Sequence, residues 1–378
     1  MKNINVKNIL CHLMLFALIL IFITKYNINV LAEVIDSSTP IKSNKFKKTI
    51  ITPVIDTKIE KGKNLVFCST LQMAWNKLCK NINHEPLNII DPPWYVEPLN
   101  KLINQPALLS EDAYFSMAGF KKDNIVEKIN KGLRKKFKHL SETELITIKD
   151  DLISPYDIMA FSYLYKNLEF ETPFYRISPI RAKTDEDVIR IKRFGVEKFD
   201  LSNPEHKKLL NQIKLLYYNT KDKNTNQPEG FIIELKTKSE TDELILSTLI
   251  IEDTLEKTYM KINECIKNKV NTKFTEIIGR ITIPVINFDI IHSFDELNEK
   301  LIIKPKWAKE NYILSKVIQK IKFTLNECGA KLISYSNIIT KITCYSQELF
   351  LDIHPPFVVM LRSKGAIAPY FIAYIDNE

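Results

Sequence analysis

Hydrophobic and polar positions change period along the chain. Between Asn124 and Leu140, Ile125, Ile129, Leu133 and Phe137 recur at nearly four-residue spacing, which predicts an amphipathic helix. Within Asn64 to Ile82 the pattern predicts another, starting at a Ser69 or Thr70 cap, with Leu71, Ala74, Trp75 and Leu78 on its apolar face. Pro92-Pro93 breaks the helical pattern. Ile158 to Phe170 is apolar and aromatic and predicts a central strand, ended by Glu171-Thr172-Pro173-Phe174. Lysines and asparagines at 219–230 predict a surface turn, followed by the strand FIIELKT and a polar, acid-rich helix around 251–269. In the last third RITIPVINFDII alternates around Pro284, the mark of an edge or a bulge, and HSFDELNEKLI reads as a short helix. VIQKIKFTLN, FVVMLRS and APYFIAYI read as strands, the last two joined by a turn at Lys364-Gly365. Asn326 to Ser346, NECGAKLISYSNIITKITCYS, has few charges and many β-branched residues, and on composition alone is one more buried strand. Helices come early and long strands late, without βαβ regularity, so the pattern predicts a mixed α+β architecture and no repeat.

The first residues stand apart from this pattern. Lys2 and Lys7, the apolar run Ile9 to Ile23 and the small-residue site Val30-Leu31-Ala32 predict a signal peptide over residues 1–32. A retained N-terminal anchor is the alternative, because the apolar run extends through Thr24. Either way the body of the protein faces outward, and only a retained leader implies a membrane. Residues 33–59 read as a polar, flexible lead-in, and 60–378 as one domain without an evident linker. With 378 residues, 45% of them hydrophobic, the chain can bury a sizeable core.

Charge narrows the partners. The formal net charge is +9, and setting aside Lys2, Lys7 and Lys25 of the leader leaves +6, spread over Lys121-Lys122, Arg134-Lys135-Lys136 and Lys207-Lys208 among acids such as Asp185-Glu186-Asp187. No basic stripe with interleaved aromatics is visible in the sequence, which argues against nucleic acid. Beyond Cys11 the cysteines are Cys68, Cys79, Cys265, Cys328 and Cys344, odd in number and widely spaced. They read as buried free thiols with room for one bridge, and only an exposed Cys344 would stand out. Asn-x-Ser/Thr does not occur, so no N-glycosylation is expected. The five histidines outside the leader, His84, His139, His206, His292 and His354, form no metal motif or catalytic signature, and His354 before Pro355-Pro356 reads as structural. Eight glycines in the whole chain, none clustered, supply no phosphate-cradling loop. The expectation is therefore a non-enzyme without cofactor or metal, acting by binding, inhibition or scaffolding.

Several segments, in order, resemble the serpin family. In Leu314 to Lys331, LSKVIQKIKFTLNECGAK, the residues Ser315, Val317, Lys320, Glu327 and Gly329 are similar to the family's strand leading into the reactive loop. Phe350 to Phe357 resembles its Phe-x-x-x-His-Pro-Phe motif with one proline inserted, around His354, Pro355 and Phe357. SYLYKNLEFETPF resembles the central-sheet strand, with Pro173 and Phe174 matching, Ser162 in place of the usual asparagine and Phe170 in place of the usual tryptophan. NLVFCSTLQMA resembles the family's Asn-x-x-x-Ser-Pro helix start, with Asn64 kept and Cys68 and Ser69 standing for the serine and proline. RITIPVINFDIIHSFDELNEKL resembles the strand and helix before the loop-bearing strand. The resemblance covers about 60–378 and is poor over 82–155.

The resemblance implies a serpin-like α+β fold, with helices around a large central sheet, further smaller sheets and a reactive loop at about 328–349, exposed or inserted. It implies a secreted, monomeric suicide inhibitor of an extracellular serine or cysteine protease; a non-inhibitory binding or chaperone-like role is the alternative. The scissile bond would fall near Thr343-Cys344, with Lys341 within reach of a trypsin-like enzyme. Glu327, Gly329, Ala330, Lys331, Leu332 and Ser334 would form the hinge. Strand alternation then points Ala330, Leu332, Ser334, Ser336, Ile338 and Thr340 inward on insertion. Leu332 is the misfit in that mostly small set, at a cost of roughly 1 to 3 kcal/mol.

Overall fold

Strands covered on both faces account for the unbroken apolar runs of the last third. The computed structural model describes residues 49–82, 85–103, 109, 111–138, 145, 154–183, 188–219, 228–249, 251–268, 277–303, 311–314, 317–330 and 348–376. Its largest sheet has seven strands. In spatial order they are β1 (Thr49–Thr52), β2 (Asn64–Cys68), β19 (Phe371–Ile375), β18 (Phe357–Ser363), β10 (Asp242–Ser247), β9 (Phe231–Leu235) and β8 (Ile213–Tyr218). β1 and β2 run parallel and every other pair antiparallel. Along β18, Phe357, Val359 and Leu361 enter the main core, while Val358 and Met360 pack on the opposite side. There they meet Leu255, Tyr259 and Ile262 of helix α5 (Leu255–Lys267), whose N-cap Thr254 accepts a hydrogen bond from the Lys257 amide. A two-residue period is present, but both phases are apolar, so the sequence shows a continuous run.

The second sheet has four strands, β17 (Glu348–Asp352), β11 (Ile277–Pro284), β7 (Val188–Val196) and β6 (Tyr175–Lys183), with β17 parallel to β11. The remaining strands form two-stranded ladders. β12 (Ile286–Ser293) pairs with β15 (Ile318–Leu325), β13 (Lys300–Ile302) with β14 (Tyr312–Leu314), β3 (Tyr114–Phe120) with β4 (Ile158–Leu164), and β5 (Leu168–Glu169) with β16 (Gly329–Ala330). The β3–β4 pair lies between helices. α1 (Thr70–Ile82) packs on one face and α3 (Ile125–Lys136) on the other, where Ile125, Ile129 and Leu133 meet Phe115, Met117, Met159, Phe161 and Tyr163. Short α2 (Val96–Lys101) closes the side of α1, and α4 (Pro204–Asn211) precedes β8.

The α+β architecture with a large mixed sheet agrees with the sequence reading, and four points correct it in detail. The lead-in ends earlier than 59, because β1 pairs with β2 and buries Ile51 and Thr52. The strand over Ile158 to Phe170 is broken into β4 and β5, and it pairs outside the seven-stranded sheet. Most of HSFDELNEKLI is not helical: Asp295–Leu297 forms a single 3-10 turn, and Lys300–Ile302 is β13. Strands are not confined to the end, since β6 to β10 occupy the middle of the chain. The leader lies outside the described residues, and among those no helix is long and apolar enough to cross a membrane.

Candidate functional site

The segment 331–347 joins β16 to β17, and the structure describes where it begins. β15 ends in a two-residue reversal: the Asn326 amide donates to the Gly329 carbonyl at 3.0 Å and the Gly329 amide returns to the Asn326 carbonyl at 3.1 Å, with Glu327 and Cys328 at the tip. The Asn326 side chain holds the tip by accepting from the Cys328 amide at 3.0 Å. This reversal sends β16 back alongside the end of β15. On its other flank β16 pairs antiparallel with β5, Gly329 opposite Glu169 and Ala330 opposite Leu168.

Beneath the turn lies an aromatic floor. Phe170 and Phe174 meet edge to face with centroids 5.1 Å apart, and both pack against Phe194 of β7. Their amides donate to the turn, Phe170 to the Cys328 carbonyl at 2.9 Å and Phe174 to the Glu327 carbonyl at 2.8 Å. Pro173 separates them and carries no amide to satisfy. The preceding Thr172 is clasped by buried Gln212, which accepts from its amide at 2.6 Å and donates to its carbonyl at 2.8 Å. Glu327 is 7% exposed, and its carboxylate accepts from Arg176 Nε at 2.5 Å, while the Arg176 side chain remains half exposed. A buried carboxylate needs such a partner, because an unpaired one would cost several kcal/mol.

The structure thus brings together Glu327, Gly329, Ala330, Phe170, Pro173 and Phe174. Ala330, first of the inward set, is 5% exposed. Lys331, Leu332, Ser334, Lys341, Thr343 and Cys344 lie outside the described residues. Ser162 lies on β4, where its hydroxyl donates to Ser116 Oγ at 2.7 Å, and Ser116 donates on to the Met73 carbonyl of α1. Lys320 is exposed on β15, 3.8 Å from Asp289.

Asn64 and Ser69 sit apart from the turn. Asn64 ties the sheet edge, donating to Thr49 Oγ1 and accepting from the Asp376 amide. Ser69 starts α1 through its carbonyl, which accepts from the Met73 amide, and its buried hydroxyl has no partner among the described residues. Next to it, Gln319 of β15 donates to the Cys68 carbonyl at 3.0 Å and to Thr70 Oγ1 at 2.8 Å. Burial pushes the Cys68 thiol up. Cys68, Cys79 and Cys265 are free thiols, the first two buried.

His354 is exposed and makes no hydrogen bond among the described residues. The residue after the two prolines, Phe357, is fully buried at the start of β18. Arg176 and Gln212 were not legible as partners of this site, because nothing local in the sequence links residues 151 and 40 positions apart. Among the described residues no group of three or more His, Cys, Asp or Glu side chains is placed to hold a metal ion.

No protein-family model matches the chain, and no curated protein matches it. Among solved structures it is similar to a thyroxine-binding globulin complex with thyroxine, at 10% identity and a TM-score of 0.46, over 84% of this chain and 94% of that one. It is similar also to native protease nexin-1 with heparin, at 12% identity and a TM-score of 0.47, over 84% of this chain and 93% of that one.

Proposed function

We propose that this chain is a secreted serpin-like protein that inhibits an extracellular serine or cysteine protease by offering 331–347 as bait. The enzyme would cut near Thr343-Cys344, with Lys341 in range of a trypsin-like pocket. The observation that carries this reading is the direction of β16. The two residues that open the segment already run antiparallel beside β5 and back along β15. Continued in the same direction, residues 331 onward would lie between β15 and β4, which share no ladder among the described residues. Cleavage would free the segment's N-terminal half to extend that two-residue start into a full strand, and the added backbone hydrogen bonds and side-chain burial drive the step. The ordered motifs shared with serpins support the same reading.

The test is incubation of the purified protein with trypsin-like, elastase-like and papain-like proteases. The expected result is an adduct that survives boiling in detergent, with cleavage near Thr343 and a rise in the thermal midpoint of the cut protein. Cutting within 331–347 with no adduct from any protease and no gain in thermal stability would leave the non-inhibitory binding role in its place.

A further inference from the structure

The cations that looked scattered along the sequence are gathered by α3. From 121 to 138 the chain carries eight lysines and arginines against two acids, Asp123 and Glu127, a net of +6 within eighteen residues of a chain whose total is +9. The helix buries Ile125, Ile129 and Leu133, and Phe137 follows them, so its apolar side is fully used against β3 and β4. At 100° per residue the opposite side of the helix collects Lys128, Lys131, Arg134 and Lys135, all exposed, at spacings of three and four, and exposed Lys138 follows the helix end. Glu127 is the one acid on that stripe.

The end of the stripe is aromatic. Lys122, just ahead of the helix, lies 4.8 Å from the Tyr156 ring centroid and 5.3 Å from that of Phe120. Tyr156 is 62% exposed. A row of long basic side chains beside an exposed tyrosine matches the chemistry of a lipid headgroup layer: ammonium and guanidinium groups meet lipid phosphates and carboxylates, and the ring has an apolar phase to enter. A linear sulfated or phosphorylated polymer would satisfy the cations but give the ring no such phase.

We propose that the α3 face is a peripheral docking surface for anionic lipid membranes, with the helix lying along the surface and Tyr156 dipping at its end. Because the apolar side of the helix is committed to the core, the contact is electrostatic and reversible, and screened by salt over about 8 Å at physiological ionic strength. Each basic residue at such a surface contributes about a fivefold factor in affinity.

The experiment is co-sedimentation of the full chain with phosphatidylcholine vesicles with and without phosphatidylserine. Sedimentation is expected with phosphatidylserine only and should be released by high salt. The Lys131→Glu, Arg134→Glu, Lys135→Glu triple variant should lose affinity by about 100-fold or more. Replacing Lys131 and Lys135 by Arg should retain it, and Tyr156→Ala should weaken it without changing the salt dependence. Binding through the apolar N-terminal run would ignore lipid charge, so equal sedimentation with neutral vesicles overturns the proposal. So does retention by the triple variant, or capture by a soluble sulfated polysaccharide with none by vesicles. Glu142, Glu144, Asp150 and Asp151 come after the helix in sequence, outside the described residues. Binding that appears only when they are changed to amides also overturns it.

Discussion

Gly329 has φ +127°, and a Cβ there would stand 2.3 Å from the Leu168 carbonyl oxygen and 2.8 Å from Glu169 Cα. Both obstacles are backbone, so neither can swing aside. Any side chain must either push β16 off β5 or unwind the reversal that precedes it. We expect Gly329→Ala to destabilise the protein by about 3 kcal/mol in urea unfolding, combining backbone strain with a local clash. Gly62 is the internal reference: φ is +79° and nothing lies within 4 Å of its Cβ position, so Gly62→Ala should cost only about 1 kcal/mol. Equal losses at the two positions would show that the close approach of β16 to β5 is not what selects glycine at 329. The inhibitory reading does not enter this measurement, which tests the seat of the segment alone.

Asn100 shows how elements are fastened where hydrophobic pattern is weak. From α2 its Oδ1 accepts from Trp75 Nε1 of α1 at 3.0 Å and from the Leu87 amide at 3.1 Å, and its Nδ2 donates to the Leu87 carbonyl at 2.9 Å. One side chain therefore joins two helices and the strand-like segment between them. Asn100→Ala should cost about 2 to 3 kcal/mol, because three groups lose a partner together. Asn100→Asp keeps the two acceptor bonds and should cost less. Trp75 emission and thermal midpoint report both, and an Asp variant as unstable as the Ala variant would shift the weight onto the Leu87 carbonyl. Such ties explain what the sequence conceals. Helices α1 and α3 were legible because each has one apolar side over three turns or more, whereas α5 showed only as a polar, acid-rich helical stretch. β18 and β19 were legible from sheer apolar content. β6 and β7 were not, since Arg176, Arg181, Arg190 and Arg193 interrupt their apolar positions and mask the two-residue period. At the site, Glu327, Gly329, Phe170 and Phe174 came from ordered motifs, whereas Arg176 and Gln212 arrive through tertiary contact. The cationic face of α3 was hidden by counting along the chain; its residues converge only once wrapped on a helix.

Asp242 ties the β4–β5 connection to the large sheet, alongside the Lys238–Glu169 pair. It opens β10 in the seven-stranded sheet and is 5% exposed. Lys166, in the break between β4 and β5, reaches its Oδ2 at 2.9 Å, and Ser239 and Thr241 donate to the same oxygen at 2.7 and 3.0 Å. Buried Tyr370, just before β19, donates its hydroxyl to Oδ1 at 3.1 Å. Burial by itself raises the Asp242 pKa, but the Lys166 and Ser239 hydrogen bonds and the Lys166 charge outweigh it and hold the carboxyl below its ordinary value. Burial, reinforced by the same carboxylate, pushes the Tyr370 phenol up. A folded-state pKa below the unfolded one means that the unfolded chain binds the proton first as pH falls. The stabilisation is then complete above the ordinary aspartate pKa of about 4 and is lost as pH drops from there through the lower folded value. Asp242→Asn strands the Lys166 ammonium and weakens four hydrogen bonds, so at neutral pH it should cost about 3 kcal/mol. Its unfolding free energy should fall less steeply than wild type between about pH 5 and pH 2, because the titrating group is gone. Urea titrations across that range give the comparison directly. Parallel acid limbs would mean that Asp242 is not held below its ordinary pKa, and that its pair with Lys166 is not what fastens the β4–β5 connection to the large sheet.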